Sequence, residues 1–75
     1  MTQLEVRFRY GATPSENVMR AIDTVRDVYG IRGISFDEKL RTVRVEFDAS
    51  RLKEPVVASL LRRAGIDLQE KLVLA

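Results

Sequence analysis

The stretch Gln3-Leu4-Glu5-Val6-Arg7-Phe8-Arg9-Tyr10 sets Leu4, Val6, Phe8 and Tyr10 in strict alternation with Glu5, Arg7 and Arg9. A period of two belongs to a strand with one face in a core and the other in water, so residues 3–10 are read as a strand. The residues that follow, Gly11-Ala12-Thr13-Pro14-Ser15-Glu16, break that period and carry the signs of a helix start. Thr13 is placed as the cap, Pro14 at the first helical position and Glu16 three residues beyond the cap. Val18, Ala21, Ile22, Val25, Val28 and Tyr29 then share one helical stripe and Gly30 supplies the stop, which predicts a helix from about 14 to 29.

Ile31, Ile34 and Phe36 mark a second strand with Gly33 as a bulge, and Asp37 to Arg41 form a charged hairpin turn. Val43, Val45 and Phe47 alternate with Arg44 and Glu46 in a third strand. Between Leu52 and Ala64, the residues Val56, Val57, Leu60, Leu61 and Ala64 fall on one side of a second helix, with Pro55 in its first turn and Gly65 at its end. Ile66 to Leu74 finishes as a strand. The order β-α-β-β-α-β predicts an α+β fold: a ferredoxin-like sandwich of a four-stranded antiparallel sheet with two helices on one face. Residues 1–75 are read as a single domain. Leu72-Val73-Leu74-Ala75 is consecutively apolar, so at least one of these side chains is expected to turn away from the helices.

Composition narrows the chemistry. With 45% apolar and 32% charged residues, the chain is that of an ordered globular domain. Cysteine and histidine are both absent, which excludes disulfides, thiolate or imidazole metal sites and any Cys or His nucleophile-and-base pair. The net charge of +2 comes from 13 basic and 11 acidic residues that interleave rather than cluster, a weak signal for polyanion binding. No leader pattern and no apolar stretch of the ~20 residues needed to span a bilayer is present, so the expectation is a cytoplasmic protein without membrane insertion.

The ordered series Gly11-Ala12-Thr13, Gly30-Ile31, Ile34, Phe36, Val43-Arg44-Val45 and Leu60-Leu61-Arg62-Arg63-Ala64-Gly65 resembles the heavy-metal-associated domain family, the fold of copper chaperones. That family's loop reads Gly-Met-Thr-Cys-x-x-Cys. Alignment on Gly11 and Thr13 puts Ala12 at the Met, Pro14 at the first Cys and Asn17 at the second. The chain is thus similar to a degenerate member without the metal site. Soft Cu(I) requires deprotonated sulfur, and neither Pro nor an Asn amide supplies it. The transport chemistry implied by the resemblance therefore reaches no residue here.

On the open sheet face Glu5, Arg7 and Arg9 are expected beside Thr42, Arg44 and Glu46 as a solvated checkerboard of opposite charges. Nucleic-acid binding is not expected, because Phe8, Tyr10, Phe36 and Phe47 share inward parity and leave no stacking platform. Asp23 and Asp27 read as a solvated helix face beside Arg20 and Arg26, and Arg62 and Arg63 as complements of a helix dipole. No constellation calls for an enzyme or a cofactor. The expected function is a non-catalytic interaction module that docks to another protein or to itself through an edge strand at Leu72, Val73 and Leu74. The alternative is a ligand or anion sensor, or a weak residual metal-ion-binding domain, that uses the loop residues Gly11, Thr13, Ser15 and Asn17.

Overall fold

Strand β1 spans Gln3–Tyr10, the bounds its alternation predicts, with Val6, Phe8 and Tyr10 buried and Arg7 and Arg9 exposed. The computed structural model describes residues 3–74, and the side chains of Val73 and Leu74 lie outside the described set. The remaining elements are α1 (Glu16–Arg26), β2 (Ile31–Asp37), β3 (Thr42–Asp48), α2 (Glu54–Ala64) and β4 (Leu68–Leu74). The sheet order is β2-β3-β1-β4 with every pairing antiparallel, which is the expected ferredoxin-like sandwich. One core joins sheet and helices: Val6, Val43, Val45 and Phe47 meet Ile22 of α1 and Val57 and Leu61 of α2. Tyr10 and Phe36 close its end edge to face, with ring centroids 5.8 Å apart.

Both helices are shorter than their periodicity implies. Helix α1 starts at Glu16 because Ser15, not Thr13, is the cap: its backbone is extended and its Oγ accepts the Val18 N–H at 3.3 Å. Pro14 therefore precedes the cap, and Glu16 sits in the first turn, where it pairs with Arg20 at 3.0 Å instead of closing a capping box. The helix ends at Arg26, three residues before Tyr29, and Tyr29 is 73% exposed with the Arg51 guanidinium 4.9 Å from its ring centre. Tyr29 thus leaves the core stripe, and the positive φ of 103° at Gly30 turns the chain into β2. Helix α2 begins after Lys53, so Leu52 lies outside it, and Val56 is 45% exposed rather than on the buried side. Its end is as expected. Gly65 takes φ 108°, and the Ile66 amide donates back to the Leu61 carbonyl at 3.2 Å. β4 starts at Leu68 rather than Ile66, although the Ile66 side chain is buried in the core. The predicted bulge at Gly33 is present as a register shift between Ile31 and Gly33.

Asp48 is the buried carboxylate that ties these pieces together. Its Oδ1 accepts from the Ser50 hydroxyl at 2.6 Å and the Ser50 amide at 3.0 Å, while its own amide donates to the Gly30 carbonyl at 2.7 Å. The Ser50 hydroxyl above all, then the Ser50 amide, and the nearby Arg32 and Arg51 charges hold the Asp48 carboxyl below the ordinary carboxylate range, against the opposing effect of burial. A lowered folded-state pKa contributes stability above the unfolded pKa and loses it as pH falls through the folded value. The urea midpoint is therefore expected to fall on acidification from about pH 5 towards pH 3, and Asp48→Asn to flatten that acid limb. Identical acid limbs for the two proteins would contradict this assignment.

Candidate functional site

The loop between β1 and α1 is held shut by groups far away in sequence. The Gly11 amide donates to the Asp67 carbonyl at 3.0 Å, and the Ala12 amide donates to Asp67 Oδ2 at 3.3 Å. Across the loop, Arg41 Nη1 donates to the Gly11 carbonyl at 2.8 Å, and the Arg41 carbonyl accepts from the Tyr10 amide. Arg41 reaches this position with φ 52°, in the left-handed turn that closes the β2–β3 hairpin. A Cβ at Gly11 would lie 2.5 Å from Asp67 Oδ2 and 2.6 Å from Gln69 Nε2, so a side chain there would displace these two side-chain ends.

Of the four loop residues singled out from the sequence, Gly11 is the pinned end and Ser15 is the helix cap, while Thr13 and Asn17 are exposed. An incoming anion at this loop would meet the Asp67 carboxylate already bonded to the Ala12 amide and the Ser15 hydroxyl already bonded to Val18. No local sequence signal marks Asp67 and Arg41 as loop partners, because only the pairing of distant elements brings them there. No group of three or more His, Cys, Asp or Glu able to hold a metal occurs among the described residues. Asp23 instead pairs with Arg26 at 3.4 Å.

The open sheet face departs from the expected checkerboard. The β1–β3 register sets Glu5 opposite Glu46 and Arg7 opposite Arg44, like against like. Compensation runs along and diagonally between strands: Glu5 contacts Arg7 at 3.1 Å and Arg44 at 3.7 Å, and Glu46 lies 3.9 Å from Arg44. The face is thereby zoned into an acidic row and a basic row. Beside the basic row, towards the hairpin, is a hollow of about 170 Å³ bordered by Arg7, Ser35, Asp37, Leu40, Thr42 and Arg44.

β4 forms one edge of the sheet. Its pairing with β1 slips twice, between Tyr10 and Phe8 and between Phe8 and Arg7, before becoming regular at Val73 opposite Arg7 and Leu74 opposite Val6. Such slips twist an edge and confine regular pairing to the strand's last residues. Glu70 pairs with Arg9 at 3.1 Å and Lys71 with Glu54 of α2 at 3.1 Å, while Leu72 is 38% exposed. The expected apolar edge thus includes an exposed Leu72, and the Val73 and Leu74 side chains and all of Ala75 lie outside the described residues. Among the described residues no helix is long and apolar enough to cross a membrane.

No family model and no curated protein sequence matches the chain. A solved structure does: the solution structure of apo-CopP from Helicobacter pylori aligns with a TM-score of 0.71 over 87% of this chain and 98% of that one. Sequence identity is 21%, so the likeness is one of fold, and it supports the architecture that the resemblance to heavy-metal-associated domains implied.

Proposed function

We propose that this chain is a non-catalytic interaction module of heavy-metal-associated fold that engages another polypeptide, in the simplest case a second copy, through the edge of β4. The observation that carries this reading is the exposed apolar Leu72 on an edge strand whose regular pairing is concentrated at its end. An edge strand offers backbone donors and acceptors to an added strand, and apolar side chains beside them supply burial. The metal-loop alternative has less support, because thiolates are absent and the Gly11 and Ala12 amides of the loop are engaged by Asp67.

Sedimentation velocity over a concentration series tests the proposal. The native chain is expected to dimerise, and Leu72→Lys to raise the dimer dissociation constant by about tenfold or more through burial of an unpaired ammonium at the contact. An unchanged constant for Leu72→Lys, or a native chain monomeric throughout, would remove β4 as a self-docking edge.

A further inference from the structure

We propose that the hollow beside Arg7 and Arg44 on the open sheet face is a binding site for a phosphate-type oxyanion, free or carried as a phosphate monoester. Two guanidinium groups stand opposite each other on adjacent strands, and like charges placed so oppose pairing. Glu5 answers this only in part. It takes Arg7 at Nε, at 3.1 Å, with one carboxylate oxygen. Arg44 stands 3.7 Å from Glu5 and 3.9 Å from Glu46, beyond hydrogen-bond distance of both.

The rest of the hollow suits a tetrahedral anion. Ser35 lies opposite Arg44 on β2 and Thr42 opposite Arg9 on β1, so both hydroxyls belong to the face that carries the arginines. The carboxylate on the hollow's rim, Asp37, is turned into the hairpin, where its Oδ1 accepts the Lys39 and Leu40 amides at 3.1 and 3.2 Å. Leu40, 67% exposed, adds an apolar wall on which the body of a monoester can rest. Two guanidinium forks with flanking hydroxyls supply directed donors to several oxygens at once, which a lone lysine does not.

The test is a titration of the native chain with inorganic phosphate and with a phosphoserine peptide at low, chloride-matched ionic strength, followed by amide chemical shifts. Saturable shifts are expected at Arg7, Ser35, Thr42 and Arg44. Arg44→Gln should weaken binding by about tenfold or more, the loss of charged hydrogen bonds. Glu5→Gln should tighten it by removing the competing carboxylate, while Arg63→Gln, on the last turn of α2, should leave it unchanged. Both arginine variants are at exposed positions and are expected to keep the native circular dichroism. Tighter binding of the peptide assigns the ligand as a modified side chain, and equal affinities assign the free ion. Shifts that rise linearly without saturation, or equal losses in Arg44→Gln and Arg63→Gln, would overturn the site.

Discussion

Pro14→Cys combined with Asn17→Cys is expected to turn a chain that takes up no stoichiometric Cu(I) into one that binds one Cu(I) per molecule. These are the positions that the resemblance aligns with the two cysteines of the metal loop. In the structure Pro14 immediately precedes the Ser15 cap and Asn17 lies in the first turn of α1, exposed to solvent. A thiol at a helix N-terminus has its pKa lowered by the positive end of the dipole, so thiolate is available near neutrality. The loop needs no metal to hold its shape, since Asp67 and Arg41 already fix Gly11 and Ala12. Competition against a chromophoric Cu(I) chelator under reducing conditions reads the outcome. Copper withdrawn from the chelator by the native chain, or none withdrawn by the double variant, would contradict the account of what this loop has lost.

The largest effect on stability is expected from Phe47→Ala, a loss of about 3–5 kcal/mol by urea unfolding. Phe47 is 1% exposed on the central strand β3, paired with Leu4 on one side and Ile31 on the other. Its ring fills the layer between sheet and helices, and truncation leaves a cavity that flanking β-strands cannot collapse into. A domain of this size has roughly 4–11 kcal/mol of stability in total, so the variant is expected to be close to unfolding at ordinary temperature. Leu40→Ala, on the exposed hairpin turn, is expected to change stability by no more than about 0.5 kcal/mol. A loss below about 1 kcal/mol for Phe47→Ala would show that the core is not packed as described.

The parts of the fold legible in the sequence are those governed by local period and local turn chemistry. Alternation in Leu4 to Tyr10 identifies β1 residue by residue, and Gly65 ends α2 because only a left-handed residue admits the chain reversal found there. The start of α1 lies two residues beyond the one expected from Thr13 for a physical reason: Thr13 and Ser15 are both competent caps, and the choice of Ser15 depends on how the loop is anchored. That anchor is Asp67, which is distant in sequence and leaves no local trace. The charge pattern on the open face was limited in the same way. Parity decides which face Glu5, Arg7, Arg44 and Glu46 occupy, but a slip of two residues keeps that parity while placing Glu5 opposite Arg44. The register that sets Arg7 against Arg44 comes from pairing between elements far apart in the chain, and the oxyanion site depends on it.

Native mass spectrometry of the purified chain under reducing conditions, alone and after incubation with Cu(I), Zn(II) and Mg(II), tests the central claim most directly because it reads oligomer and bound mass together. The account predicts a dimer free of metal adducts that Leu72→Lys converts to monomer. A stoichiometric metal adduct on the native chain that survives mild activation would contradict it.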